Sequence, residues 1–241
     1  MKYTFPVNMS DRVKALLFAA AALLTASPAW AQVGHEPARS PYLDLEYGQE
    51  LTLLGGYLRT RHDPAGIAPK SGPVVGVRYE ARLTGPLAVS VDMLGGSGNR
   101  DVIDPLKPVA SRKIGTQSNA VLAADVALAL NLTGERSWHR LVPQIRAGVG
   151  LVSSRAQDDS SGFAFGTRFA FTMGGGVKLV PAGRRFQIRA DVTDRIFKLD
   201  YPDAYYRLAS DNTSVLPGST AKSFYTHHTA LTVGVSYLFA R

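Results

Sequence analysis

The stretch Ala230-Leu231-Thr232-Val233-Gly234-Val235-Ser236-Tyr237-Leu238-Phe239 decides the fold. Leu231, Val233, Val235, Tyr237 and Phe239 fall on one face, and Ala230, Thr232, Gly234 and Ser236 on the other. Successive side chains of a strand point to opposite faces, so this period of two is the mark of an amphipathic β-strand. The same rhythm recurs upstream. From Arg185 to Arg195, Phe186, Ile188, Ala190 and Val192 oppose Arg185, Gln187, Arg189, Asp191, Thr193 and Arg195. Phe163, Phe165, Phe169, Phe171, Met173, Val177 and Leu179 alternate with Arg168, Thr172 and Lys178, and Leu141, Ile145, Ala147 and Val149 with Gln144 and Arg146. Leu122, Val126, Leu128 and Leu130 alternate with Asn119, Asp125 and Asn131, Val89, Val91 and Met93 with Ser90 and Asp92, and Val75, Val77 and Tyr79 with Arg78, Glu80 and Arg82. An eighth strand, near Glu50 to Arg61, is less regular: Leu51, Leu53 and Tyr57 share a face, while Leu54 and Leu58 spoil the alternation.

Connections alternate between tight and long. Gly85-Pro86, Gly134 to His139 and Pro181 to Arg184 are short, whereas His62 to Gly72, Arg100 to Thr116, Ala156 to Gly162 and Asp200 to Ser223 are long and polar. Short turns on one rim and long loops on the other describe an up-and-down barrel, and eight strands close it without exposed edges. The chain is therefore expected to be all-β, an eight-stranded antiparallel up-and-down transmembrane β-barrel over 50–241. The alternative, a soluble periplasmic ligand-binding barrel, would turn the apolar face inward. Inversion is favoured by aromatics near strand ends (Tyr57, Tyr79, Phe163, Phe165, Tyr237, Phe239), by Gly and Ala beside Arg and Asp on the polar face, and by the scarcity of Lys on the strands.

Lys2, Arg12 and Lys14 precede an apolar run from Ala15 to Leu24, followed by Ala29-Trp30-Ala31. This reads as a Sec signal peptide over 1–31, cleaved after Ala31, with Met9 an alternative start and 32–49 a periplasmic segment. The apolar run is too short to cross a hydrocarbon core of about 30 Å. The 241 residues include no Cys, which excludes disulfides, thiolate metal sites, a Cys nucleophile and a lipoprotein anchor. A formal net charge of +8 comes without a Lys/Arg cluster, so anionic lipid and lipopolysaccharide are the expected counterions rather than nucleic acid.

These segments, the loop order and the closing strand resemble the OmpA/OmpX-type outer-membrane β-barrel superfamily, including its outer membrane protein β-barrel domains. The resemblance implies an outer-membrane location and three sets of partners: the barrel-insertion machinery, periplasmic chaperones and lipopolysaccharide. It makes Leu231, Val233, Val235, Tyr237 and Phe239 the assembly signal, although Ala240 and Arg241 follow where family members end on the aromatic.

The lumen is expected to be lined by Arg78, Glu80, Arg82, Asp92, Asp125, Gln144, Arg146, Arg168, Lys178, Arg189, Asp191 and Arg195. In so narrow a space charges must pair, which predicts an ion-pair plug. Because basic groups outnumber acidic ones in this set, a narrow anion channel or small-solute carrier is the alternative. His227-His228-Thr229 resembles the His-x-Ser stretch of lipid A deacylase barrels. Thr229 stands in the nucleophile's place, Ala230 replaces the Asn, and no Glu downstream orients the histidine. A lipid-modifying enzyme is thus a further alternative to the leading reading, a non-enzymatic monomeric envelope barrel with no cofactor, metal or catalytic residue. Adjacent His227 and His228 point to opposite faces and cannot easily share an ion. Asp158-Asp159 and Asp200 to Asp203 lack the spacing of a calcium loop, and solvated loop charge is expected there.

Overall fold

Among the described residues of the computed structural model ten strands follow one another: β1 (Tyr42–Asp44), β2 (Gln49–Thr60), β3 (Gly72–Thr84), β4 (Leu87–Ile103), β5 (Lys113–Asn131), β6 (Arg136–Trp138), β7 (Leu141–Ser154), β8 (Gly166–Leu179), β9 (Phe186–Asp200) and β10 (Ser223–Phe239). The structure describes residues 40–61, 63–154, 159–181 and 185–239. The expected signal peptide and its cleavage site lie outside these residues.

Eight strands form a closed antiparallel ring in the order β2-β3-β4-β5-β7-β8-β9-β10, with β10 pairing back onto β2. Their alternation places the apolar face outward. Leu53, Val75, Leu231 and Val233 are more than half exposed, while Arg78, Asp92, Asp125 and Arg189 are buried inside. The soluble arrangement is thereby excluded. Tyr79, Phe186, Tyr237 and Phe239 gather outside at the short-turn end, with Phe186 and Tyr237 edge to face at 5.4 Å. The other residues of the closing strand's apolar face, Leu231, Val233 and Val235, continue this surface toward the loops.

Three sequence expectations need correction. The span Gly134 to His139 is not a simple turn, because it contains β6, which pairs with β1 through Tyr42↔Trp138 and Asp44↔Arg136. His139 and Arg140 both have positive φ, as a two-residue hairpin of the primed type demands. The segment before the barrel is therefore tied to it: Arg82 also donates to the Leu45 and Tyr47 carbonyls at 3.1 and 3.0 Å. Second, Phe163 and Phe165 are not part of an outward aromatic belt. Strand β8 starts only at Gly166, whose φ of 62° breaks the extended run, and both rings turn into the barrel mouth, 3% and 2% exposed. Third, Leu54 and Leu58 do not spoil the first strand. They share parity with Glu50 and Thr52 and point inward, buried, with them.

Candidate functional site

The inward residues divide into two halves along the barrel axis. The short-turn half is ionic. Glu50 and Glu80 are direct neighbours on β2 and β3, and Lys178 and Arg189 on β8 and β9. Like charges side by side repel, so each wall is stable only if the other supplies its counterions. Lys178 Nζ donates to Glu80 at 2.5 Å and Glu50 at 3.2 Å, and Arg189 Nη1 to Glu50 at 2.5 Å. Strands β3 and β8 stand four apart in a ring of eight, so the Lys178–Glu80 bond spans the full diameter.

Above this lies a second tier. Arg78 pairs with Asp92, its direct cross-strand partner, and with Asp191 at 3.1 Å. Arg146 shares Asp92 and donates to Ser90 at 3.1 Å. Arg189 Nε reaches Asp191 at 2.8 Å and its Nη2 reaches Gln144 at 3.1 Å. The third tier is Asp125, which accepts from Arg195 Nε at 2.8 Å and from the Thr172 hydroxyl at 2.7 Å. Glycines make these tiers possible. A Cβ on Gly176 would stand 2.4 Å from an Asp191 carboxylate oxygen, and one on Gly150 equally close to Asp125.

Ten of the expected lumen residues are buried in this network. Arg82 and Arg168 are not, because they sit at the two rims: Arg82 on the backbone after β1, and Arg168 on Asp200 at 2.6 Å. Glu50 belongs to the network and is absent from the expected set, since the irregular alternation of its strand left the facing of Glu50 unassigned. With Glu50 added and the rim arginines removed, Arg78, Arg146, Lys178, Arg189 and Arg195 face Glu50, Glu80, Asp92, Asp125 and Asp191. The expected basic excess disappears.

The loop half is apolar. Leu58, Val74, Leu94, Ala123, Val152, Phe197 and Leu199 point inward and meet side chains from the long loops, namely Ile67, Phe163, Phe165, Tyr201, Tyr205 and Leu216. Phe165 packs edge to face on Phe197 at 5.6 Å, and Tyr201 stacks on Tyr205 at 5.9 Å. Polar ties hold the loops in place. Asp63 accepts from the amides of Ala65, Ile67 and Ala68 at 3.0, 2.8 and 2.7 Å, and from the Tyr201 hydroxyl. Arg112 donates to the Ser214 and Thr213 carbonyls at 3.0 and 3.2 Å. Burial pushes the Tyr205 phenol up to about 12, with Ser161 and Arg100 offsetting part of that. The loop acids are not merely solvated, as had been expected: Asp159 pairs with buried Arg100, Asp200 with Arg168, and Asp203 with Lys222 at 2.5 Å, which holds the Asp203 carboxyl below its usual range. Asp158 lies outside the described residues. No cluster of three metal-ligating side chains occurs among the described residues.

Inside the barrel, cavities are small. One of about 50 Å³ opens at the short-turn end beside Glu50, Glu80, Arg82 and Lys178. Another of about 20 Å³, the space of a single water, lies between Leu58, Leu94, Val152, Arg195 and His228.

A closed, inverted eight-stranded barrel with a charged interior is the architecture of an outer-membrane protein, and a family model agrees. The model of the outer membrane protein beta-barrel domain matches residues 16–239. The chain belongs to that family. Among solved structures, this outer membrane protein beta-barrel domain is similar to the outer membrane protein OprG from Pseudomonas aeruginosa. The TM-score is 0.50 and the identity 14%, over 81% of this chain and 98% of that one. It is also similar to Ail from Yersinia pestis in a phospholipid bilayer nanodisc, with a TM-score of 0.37 and 15% identity over 80% and 99% of the two chains. Among curated proteins none matches. Family and fold place this barrel in the outer membrane.

The histidines of this family member separate as their adjacency required. His228 points inward and is buried against Phe197, whereas His227 points outward. An acidic partner for His227 comes from upstream on β9. The Asp194 carboxylate meets His227 Nδ1 at 2.6 Å and accepts from the Thr229 hydroxyl at 2.9 Å. Thr229 is thus bonded to the acid, and no bond joins it to the imidazole, so a nucleophile–base pair is not formed. Asp194 had been passed over because it lies on the apolar face of β9, where a carboxylate breaks the alternation.

Proposed function

We propose that this protein is a small, non-enzymatic integral barrel of the outer membrane whose lumen is closed, and whose role in the envelope is structural or one of surface interaction. The observation that carries this reading is the Lys178–Glu80 bond across the barrel's diameter, within a lumen set of five cations and five anions. An ion entering the short-turn half would have to break buried pairs that balance one another. Beyond them it would meet the apolar cap around Phe165, Phe197 and Tyr205. The balanced charge also removes the motive for anion selectivity.

In this reading the signal peptide over 1–31 is cleaved after Sec export. The short-turn end with β1 and β6 faces the periplasm, and the four long loops face outward and make the surface contacts. Periplasmic chaperones deliver the monomer, the insertion machinery reads Leu231, Val233, Val235, Tyr237 and Phe239, and lipopolysaccharide surrounds the finished barrel. The test is single-channel current from full-length protein refolded in planar bilayers, with insertion verified by protease protection. Silence is expected. Discrete current steps would overturn the closed lumen, and a reversal potential favouring anions would install the channel reading in its place.

A further inference from the structure

Before it enters the ring, the chain crosses the short-turn mouth. Strand β1 pairs with β6, and β6 joins β7 through the hairpin at His139 and Arg140, where Trp138 stands opposite Leu141. Strand β2 begins at Gln49, between β3 and β10. Because β2 and β7 stand four apart in the ring of eight, Leu45, Glu46, Tyr47 and Gly48 must carry the chain from one wall to the opposite one. All four line the cavity of about 50 Å³ at this end, together with Glu50, Glu80 and Lys178 of the ionic tier beneath and with Ala88 on β4 and Val142 on β7. The segment is a roof over the ionic half of the lumen.

Its fastenings are few. The Leu45 amide donates to the Glu135 carbonyl at 2.9 Å at one end, and the Gly48 carbonyl accepts from the Arg82 amide at 2.7 Å at the other. Between them the Arg82 guanidinium donates to the carbonyls of Leu45 and Tyr47, and Arg185 lies 5.9 Å from the centre of the Tyr47 ring. The three residues of β1 are all exposed. The Asp44–Arg136 pair at 2.9 Å is exposed as well, and such a pair contributes little. Segments held by so few buried contacts open locally while the rest stays folded, and the ring strands beneath are paired along their length.

We infer that Leu45–Gly48 is a lid over the periplasmic mouth, latched by Arg82, that opens while the ring and its ion pairs stay intact. Arg82 finds its task here, since its guanidinium bonds backbone carbonyls at the rim and not a lumen acid. The planar fork offers Nη1 and Nη2 to two carbonyls at once, a geometry that an ammonium group does not reproduce. With the lid down, the tier of Glu50, Glu80 and Lys178 is shielded from the periplasm. With it raised, water and small solutes reach that tier, and the latch sets the balance between the two states. The inference rests on the orientation and the closed lumen proposed above.

The chain contains no Cys, so a single introduced thiol reports on one place. Ala88 is 3% exposed beneath the lid, and Ile67, fully buried in the cap at the other end of the barrel, serves as the control. Full-length Ala88→Cys and Ile67→Cys proteins, each with and without Arg82→Ala, are refolded into phosphatidylcholine nanodiscs, which leave both ends of the barrel open to reagent. Folding is checked by the heat-dependent shift in gel mobility, and labelling by a water-soluble maleimide is followed by mass spectrometry. Arg82→Ala should speed labelling of the Ala88→Cys thiol about tenfold, the loss of bonding to one charged group, and leave the Ile67→Cys thiol unchanged. Arg82→Lys, which keeps the charge but not the fork, should give a smaller acceleration, and it carries the test alone if alanine prevents refolding. An unchanged rate at the Ala88→Cys thiol, an equal acceleration at both thiols, or labelling as fast as a free thiol before the latch is removed would each overturn the lid. Failure of the closed-lumen reading would appear separately, as current steps from the wild type.

Discussion

The two halves of the lumen are built from the same strands by opposite means. On β9 the inward positions run Gln187, Arg189, Asp191, Thr193, Arg195, Phe197 and Leu199, from amide and charge to aromatic and aliphatic. Strand β2 repeats the trend with Glu50, Thr52, Leu54 and Leu58. In the short-turn half the inward side chains have only one another within reach, and the opposite wall is close enough for direct ion pairs. In the loop half the strands outrun the turns and the chain returns over the mouth, so inward residues find apolar partners from the loops and pack as in the core of a soluble protein. One barrel therefore holds a polar network that depends on every partner and an apolar cap that depends on volume.

The sharpest way to break this comparison is at Asp92, the acid shared by Arg78 and Arg146. Asp92→Ala leaves buried cations short of a counterion, a loss of about 3–5 kcal/mol, read as a lower urea midpoint for the protein refolded in lipid vesicles. Asp92→Asn should lose less, because it keeps the volume and one acceptor. A loss within the ordinary range of surface pairs, about 1 kcal/mol or less, would mean that the network is solvated.

The cap gives a smaller and more local response. Leu216 is 2% exposed among loop aromatics, and Leu216→Ala should cost about 2 kcal/mol, the low end for a buried leucine. Its loop can open without the barrel, so the expected signature is faster protease cutting between Tyr201 and Lys222 with an unchanged barrel midpoint. A matching fall in both would show that cap and barrel unfold together.

The smallest effect is one of pH. The Tyr205 phenol is raised from 10 to about 12 by burial. Its folded form favours the neutral state, so its contribution is whole below pH 10 and is lost as pH climbs through 12. Loop proteolysis should accelerate across that window in wild type and less so in Tyr205→Phe. Identical profiles would remove Tyr205 from the cap's pH response.

Much of this architecture was legible in the chain. Alternation marked all eight barrel strands, and the order of short and long connections closed them into a ring. Arg78, Glu80, Asp92, Asp125, Arg146, Lys178, Arg189, Asp191 and Arg195 could be assigned to the charged face because their neighbours at i±2 shared it. The method failed where polarity and facing part company. Leu54 and Leu58 looked like errors of alternation, yet they are inward residues of an apolar half-lumen. Phe163 and Phe165 extended the period of β8, but Gly166 turns the chain before they can join it. Asp194 disappeared into an apolar face because its partners lie on another strand.

The residues alone thus marked the eight strands of the ring and the alternation of rims, since each depends on local periodicity and on turn chemistry read within a few positions; the inverted facing was favoured by composition and decided by the folded barrel. Which charges pair, and which half of the lumen is ionic, came from the closed ring. Glu80 and Lys178 are 98 residues apart and meet only because β3 and β8 stand opposite one another. Likewise, Phe165 becomes core rather than belt only when a loop folds back over the mouth. Such contacts are set by the curvature and register of the whole sheet, which no short stretch of sequence carries.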